Sequence, residues 1–95
     1  MSNRDAYIQK MKAKLDEWNA ELDKLSAKAD AAEADAKLRY NEQIERLQKQ
    51  RDEARQQLEE LASASDDAWG DVRKGVEAAW EKLSNAFSAA LGRFK

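Results

Sequence analysis

Ninety-five residues, 38% charged and 7% aromatic, with no proline, cysteine or histidine, allow one small helical domain, 1–95, and leave little for a sheet. Seventeen basic residues lie thoroughly interspersed with nineteen acidic ones, for a net charge of −2, and this argues against a nucleic-acid partner. No stretch approaches the ~20 apolar residues of a membrane span. The opening MSNRDAYIQK lacks a signal peptide's apolar core, so a cytoplasmic location is expected.

The first predicted element is long. From Ile8, apolar residues recur at steps of three and four through Met11, Leu15, Trp18, Leu22, Leu25, Ala29, Ala32 and Ala36, a heptad seam. The rhythm then slips through Tyr40, Ile44 and Leu47, and resumes at Arg51, Ala54, Leu58 and Leu61. Arg51 is expected to lay its stem along the seam with the guanidinium in water. Four acidic-to-basic pairs at i,i+4 (Glu33–Lys37, Asp35–Arg39, Glu42–Arg46, Glu45–Lys49) favour helix through the middle. One helix over about residues 3–61 is predicted in preference to a turn near residue 30, which would divide the chain into thirds.

The first break falls at residues 62–66, in ASASDDAW. Ser63 and Asp66 have capping-box spacing, and Ser65 is an alternative N-cap. Beyond it an amphipathic helix over about 66–94 repeats every eleven residues. Leu61, Val72, Leu83 and Phe94 share one column, Ser65, Val76 and Phe87 the next, and Trp69, Trp80 and Leu91 the third. Gly70, Gly75 and Gly92 fall on the polar side.

RDAYIQKMKAKLDEWNAELDKL near the start and SDDAWGDVRKGVEAAWEKL near the end resemble a family of small bacterial coiled-coil proteins catalogued as stress-response or uncharacterised. The likeness covers nearly the whole chain, and its most specific part is the pair of Ala-Trp dipeptides flanking Gly75-Val76. It implies a cytoplasmic, non-enzymatic helical protein linked to stress, and it brings no catalytic or ligand-binding residues.

The expected fold is therefore all-α, a helical hairpin. A second helix of about 28 residues covers only residues ~33–61 of the first, so the stripe from Ile8 to Leu25 needs a partner. Two hairpins pairing as an antiparallel homodimer, with three-helix sections at each end and Ala32 near the two-fold axis, would satisfy it. The expected function is self-association through helix packing, with a protein client as a further partner. The alternative is peripheral binding to a membrane surface through the second helix, with Arg73, Lys82 and Arg93 at its flanks. Catalysis is not expected: a base or nucleophile would have to come from carboxylate, Lys, Ser or Tyr, and no glycine loop or metal-ligand spacing accompanies them. No cofactor or metal is expected.

Overall fold

The computed structural model describes residues 3–93, and they form three helices: α1 Asn3–Asp30, α2 Ala34–Ala62 and α3 Asp66–Arg93. Phe94 lies outside the described residues, as does the side chain of Arg93. The helices run up, down and up in a rod with extents of 51 × 21 × 18 Å, its long axis somewhat beyond the ~42–44 Å rise of one helix of 28 or 29 residues. The all-α class holds. The single helix over 3–61 does not, because the chain turns at residues 31–33.

Local sequence does not force that turn, since Ala31, Ala32 and Glu33 are good helix formers. Tertiary burial does. A straight helix would leave Met11, Leu15, Trp18 and Leu22 in water, and each such side chain gains about 1.5–3 kcal/mol on burial. Folding back at residue 31 puts Leu15, Trp18, Leu22 and Leu25 into the chain's own core. Helix propensity is worth only a few tenths of a kcal/mol per residue, so burial decides.

Each helix supplies five buried residues to one continuous core: Leu15, Trp18, Leu22, Leu25 and Ala29 from α1; Ile44, Leu47, Ala54, Leu58 and Leu61 from α2; Val76, Trp80, Leu83, Phe87 and Ala90 from α3. Tyr7, Ile8, Met11, Tyr40, Trp69 and Val72 are half-buried at its margins. The buried set of α3 steps by four and three, a heptad rhythm, so packing follows seven-residue spacing and not the eleven-residue column. Leu91 consequently drifts outward and is 41% exposed.

The stripe expected to need a second chain is thus covered within one chain. Ala32 lies in the turn between α1 and α2, and Ala36 is half-buried in the first turns of α2. Within the helices, ion pairs form at Lys14–Glu17, Glu21–Lys24, Asp52–Arg55 and Arg73–Glu77. The four pairs expected between residues 33 and 49 do not close among the described residues.

Candidate functional site

α2 is the spine of the bundle. The backbones of α1 and α3 each approach it closely, while α1 and α3 stand further apart from one another. Rings fill that wider seam. Trp18 stacks on Phe87 at 5.8 Å between centroids with an interplanar angle of 7°, and meets Trp80 at 5.9 Å and 52°. Nearer the start of both helices, Tyr7 meets Trp69 edge-on at 5.7 Å. Side chains this large hold two helices apart while still excluding water between them.

The Tyr7–Trp69 pair sits inside a polar clasp joining the start of α1 to the start of α3. The Arg4 guanidinium lies 5.2 Å from the Trp69 ring centre, pairs with Asp66, and donates to the Ala64 carbonyl at 2.7 Å. Arg73 lies 5.5 Å from the same ring. The Tyr7 hydroxyl donates to Glu77 Oε1 at 3.3 Å. Burial, and then the Glu77 carboxylate, push the Tyr7 hydroxyl above its ordinary pKa, while Arg73 pulls the other way. Exposed ion pairs of this kind are each worth under about 1 kcal/mol. The two short turns already set α1 and α3 parallel, and the clasp ties the starts of the two helices together.

Arg51 makes the equivalent tie between α1 and α2. It occupies the seam position between Leu47 and Ala54, and its guanidinium is not left to water as expected. Nη1 donates to Asn19 Oδ1 on α1 at 3.1 Å, and Nη2 to Asp52 Oδ1 at 2.9 Å. A single polar residue with one matching partner across a seam sets register.

The two turns differ in construction. At residues 63–65, Ser63 Oγ donates to the carbonyls of Glu59 and Glu60, closing α2. Ser65 Oγ accepts from the Ala68 N–H at 3.3 Å, so Ser65, and not Ser63, is the N-cap of α3. At residues 31–33, Glu33 is the N-cap of α2 and makes no side-chain cap bond. Gly75 also departs from expectation. It faces α2, where an added Cβ would come within 3.1 Å of Gln57 Oε1.

The sequence places Trp18, Trp69, Trp80 and Phe87 in apolar registers but does not show that Arg4 and Tyr7 meet Trp69, or that Glu77 accepts from Tyr7. A signal was present. Asp5-Ala6-Tyr7 and Asp67-Ala68-Trp69 are matching triplets, and a tryptophan follows each aromatic by eleven residues, at Trp18 and Trp80. That interval, shared by both helices, places their rings at matching heights.

The grooves between helices are shallow. One is lined by Lys12, Leu15, Asn19, Arg55 and Leu58 between α1 and α2, and another by Gln43, Leu47, Gln50 and Ala86 between α2 and α3. Gln50 Oε1 and the indole nitrogens of Trp69 and Trp80 are buried without hydrogen-bond partners among the described residues. Among the described residues, no group of His, Cys, Asp or Glu is arranged to hold a metal ion, and no helix is long and apolar enough to cross a membrane.

No family model matches the chain, and neither does a curated protein or a solved structure.

Proposed function

We propose that this chain is a non-enzymatic helical protein that works through helix packing, with further copies of itself as its first partner and a protein client as its second. The observation that supports this reading is how the seam is used. Five apolar residues from each helix, at heptad steps, enter one core, and the polar ties of Arg4 and Arg51 also run from helix to helix. A seam built this way recognises a helix by register and by a few polar matches, as coiled coils do, so a second copy engages it by supplying a helix in place of one already in the bundle. A place for that task in a bacterial stress response is supported by the resemblance of the two Trp-bearing stretches. Lipid contact is the competing reading. The apolar face of α3 is already occupied by the bundle, with Val76, Trp80, Leu83 and Phe87 buried, so lipid would have to displace α1 and α2 from it.

Sedimentation velocity over a wide concentration range tests the self-association. A species of twice 10.8 kDa growing with concentration is expected. A chain that stays at 10.8 kDa up to ~1 mM would overturn the reading.

A further inference from the structure

The contrast between the two turns carries a consequence for how copies associate. The second turn is fastened by serine side chains at both of its ends and by Arg4 from α1. Among the described residues the first has only backbone bonds, Ala31 N–H to the Ala27 carbonyl at 3.2 Å and Ala32 N–H to the Ala29 carbonyl at 3.1 Å. It contains neither glycine nor proline, and no residue there has positive φ. Its sequence is Ala-Ala-Glu, and the seam's spacing runs straight across it from Ala29 through Ala32 to Ala36. These are residues that a continuous helix would choose. Straightening them would also give the first N–H groups of α2, which have no intrahelical acceptors, carbonyl partners one turn back.

We propose that residues 31–33 are a hinge, and that two copies of this chain exchange α1 through it. In the exchanged dimer, α1 and α2 join into one helix of about 60 residues, roughly 90 Å long. The α1 of each copy then lies on the α2 and α3 of the other. This inference rests on the self-association reading and names its route.

Every core contact survives the exchange. The Trp18–Phe87 stack and the Arg51–Asn19 bond form between chains instead of within one. The two forms differ at the hinge and at the two-fold centre, where Ala32 is small enough for two antiparallel helices to approach closely. Their relative free energies are therefore nearly balanced apart from the entropy of association, and protein concentration sets the population. Once formed, the dimer must open its core to revert.

Glu33→Pro separates the two forms. The φ of Glu33 is −67°, which suits proline, and its N–H makes no hydrogen bond among the described residues. In a continuous helix the same proline removes a bond and clashes with the preceding turn, lowering the association constant by roughly a hundredfold per hinge and about ten-thousandfold for two. A second measurement reads the exchange directly and does not depend on that variant. Glu17 and Ser84 line one groove between α1 and α3, and the natural chain has no cysteine. Glu17→Cys copies and Ser84→Cys copies are unfolded, mixed and refolded together at high concentration, and the dimer fraction is treated with a short bismaleimide. The expected result is a 17-to-84 product joining two chains, and a dimer yield abolished by Glu33→Pro. A dimer lacking that product, or indifferent to Glu33→Pro, would overturn the exchange and leave self-association standing. Absence of any dimer would overturn both.

Discussion

Truncating Trp18 tests the core where it is densest. The side chain is 5% exposed and lies against two other rings. An indole buries about 200 Å², which at about 25 cal/mol per Å² gives an upper figure of ~5 kcal/mol. Residual burial in the unfolded chain lowers that by roughly 10–40%, to about 3–4.5 kcal/mol. The range agrees with the ~3–5 kcal/mol measured when large aromatics are cut to alanine in cores. Total stability for a chain of this size is about 5–14 kcal/mol, so Trp18→Ala should lose a large share of it. Urea denaturation followed by circular dichroism reads the effect. With a slope of ~1–2 kcal/mol per M, the midpoint should fall by about 1.5–4.5 M or the variant should be largely unfolded in buffer. Pairing Trp18→Leu with Phe87→Leu in a double-mutant cycle should return a coupling of ~0.5–1.5 kcal/mol for the stacked rings. A loss under about 1 kcal/mol for Trp18→Ala would mean that the indole does not sit between α1 and α3, and the packing described here would be wrong.

Ser65→Ala removes the cap on the Ala68 N–H and should lower stability by about 1 kcal/mol, whereas Glu33→Ala, which loses no cap bond, should leave it within ~0.5 kcal/mol; equal losses in urea melts would contradict the contrast between the turns. The raised pKa of Tyr7 means that the folded chain holds its hydroxyl proton more tightly than the unfolded one does. The associated stability is fully present below the ordinary value of 10.0 and is lost as pH climbs above it; Tyr7→Phe should flatten this decline in urea midpoints measured from pH 9 to 11.5, and parallel curves would refute the assignment. Trp18 and Trp80 are buried and Trp69 is half-buried, so emission should be blue-shifted in plain buffer and unchanged by vesicles. A shift appearing only with vesicles would favour the lipid reading.

Much of the packing was legible in the sequence. Three- and four-residue steps marked Leu15, Trp18, Leu22 and Leu25 in α1 and Ile44, Leu47, Leu58 and Leu61 in α2, and all are buried. The break near residue 64 was legible too, because Ser65 and the acidic pair after it are local capping chemistry. The turn at residues 31–33 carries no such mark. It exists because a bare stripe can be covered by folding back, which is a property of the whole chain, and no propensity at Ala31, Ala32 or Glu33 announces it. The arithmetic of near-equal thirds, now 28, 29 and 28 residues, was the one clue to it. Leu91 misled for a different reason. An eleven-residue column fits a straight isolated helix, whereas α3 packs against two neighbours and keeps heptad steps, which leave Leu91 at the rim. The clasp of Arg4, Tyr7, Trp69 and Glu77 joins residues some 60 to 70 positions apart, so only the parallel course of α1 and α3 brings it together.

The central claim is that one chain closes its own core by turning between α1 and α2. Spin labels at Lys12→Cys and Glu59→Cys, positions lining one groove across those helices, measure it in the 10.8 kDa fraction diluted with unlabelled protein. Pulsed dipolar spectroscopy should give a separation of about 20 Å or less, the width of two packed helices with their labels. A separation near 70 Å, the span of 47 residues of unbroken helix, would show that the chain does not turn at residue 31.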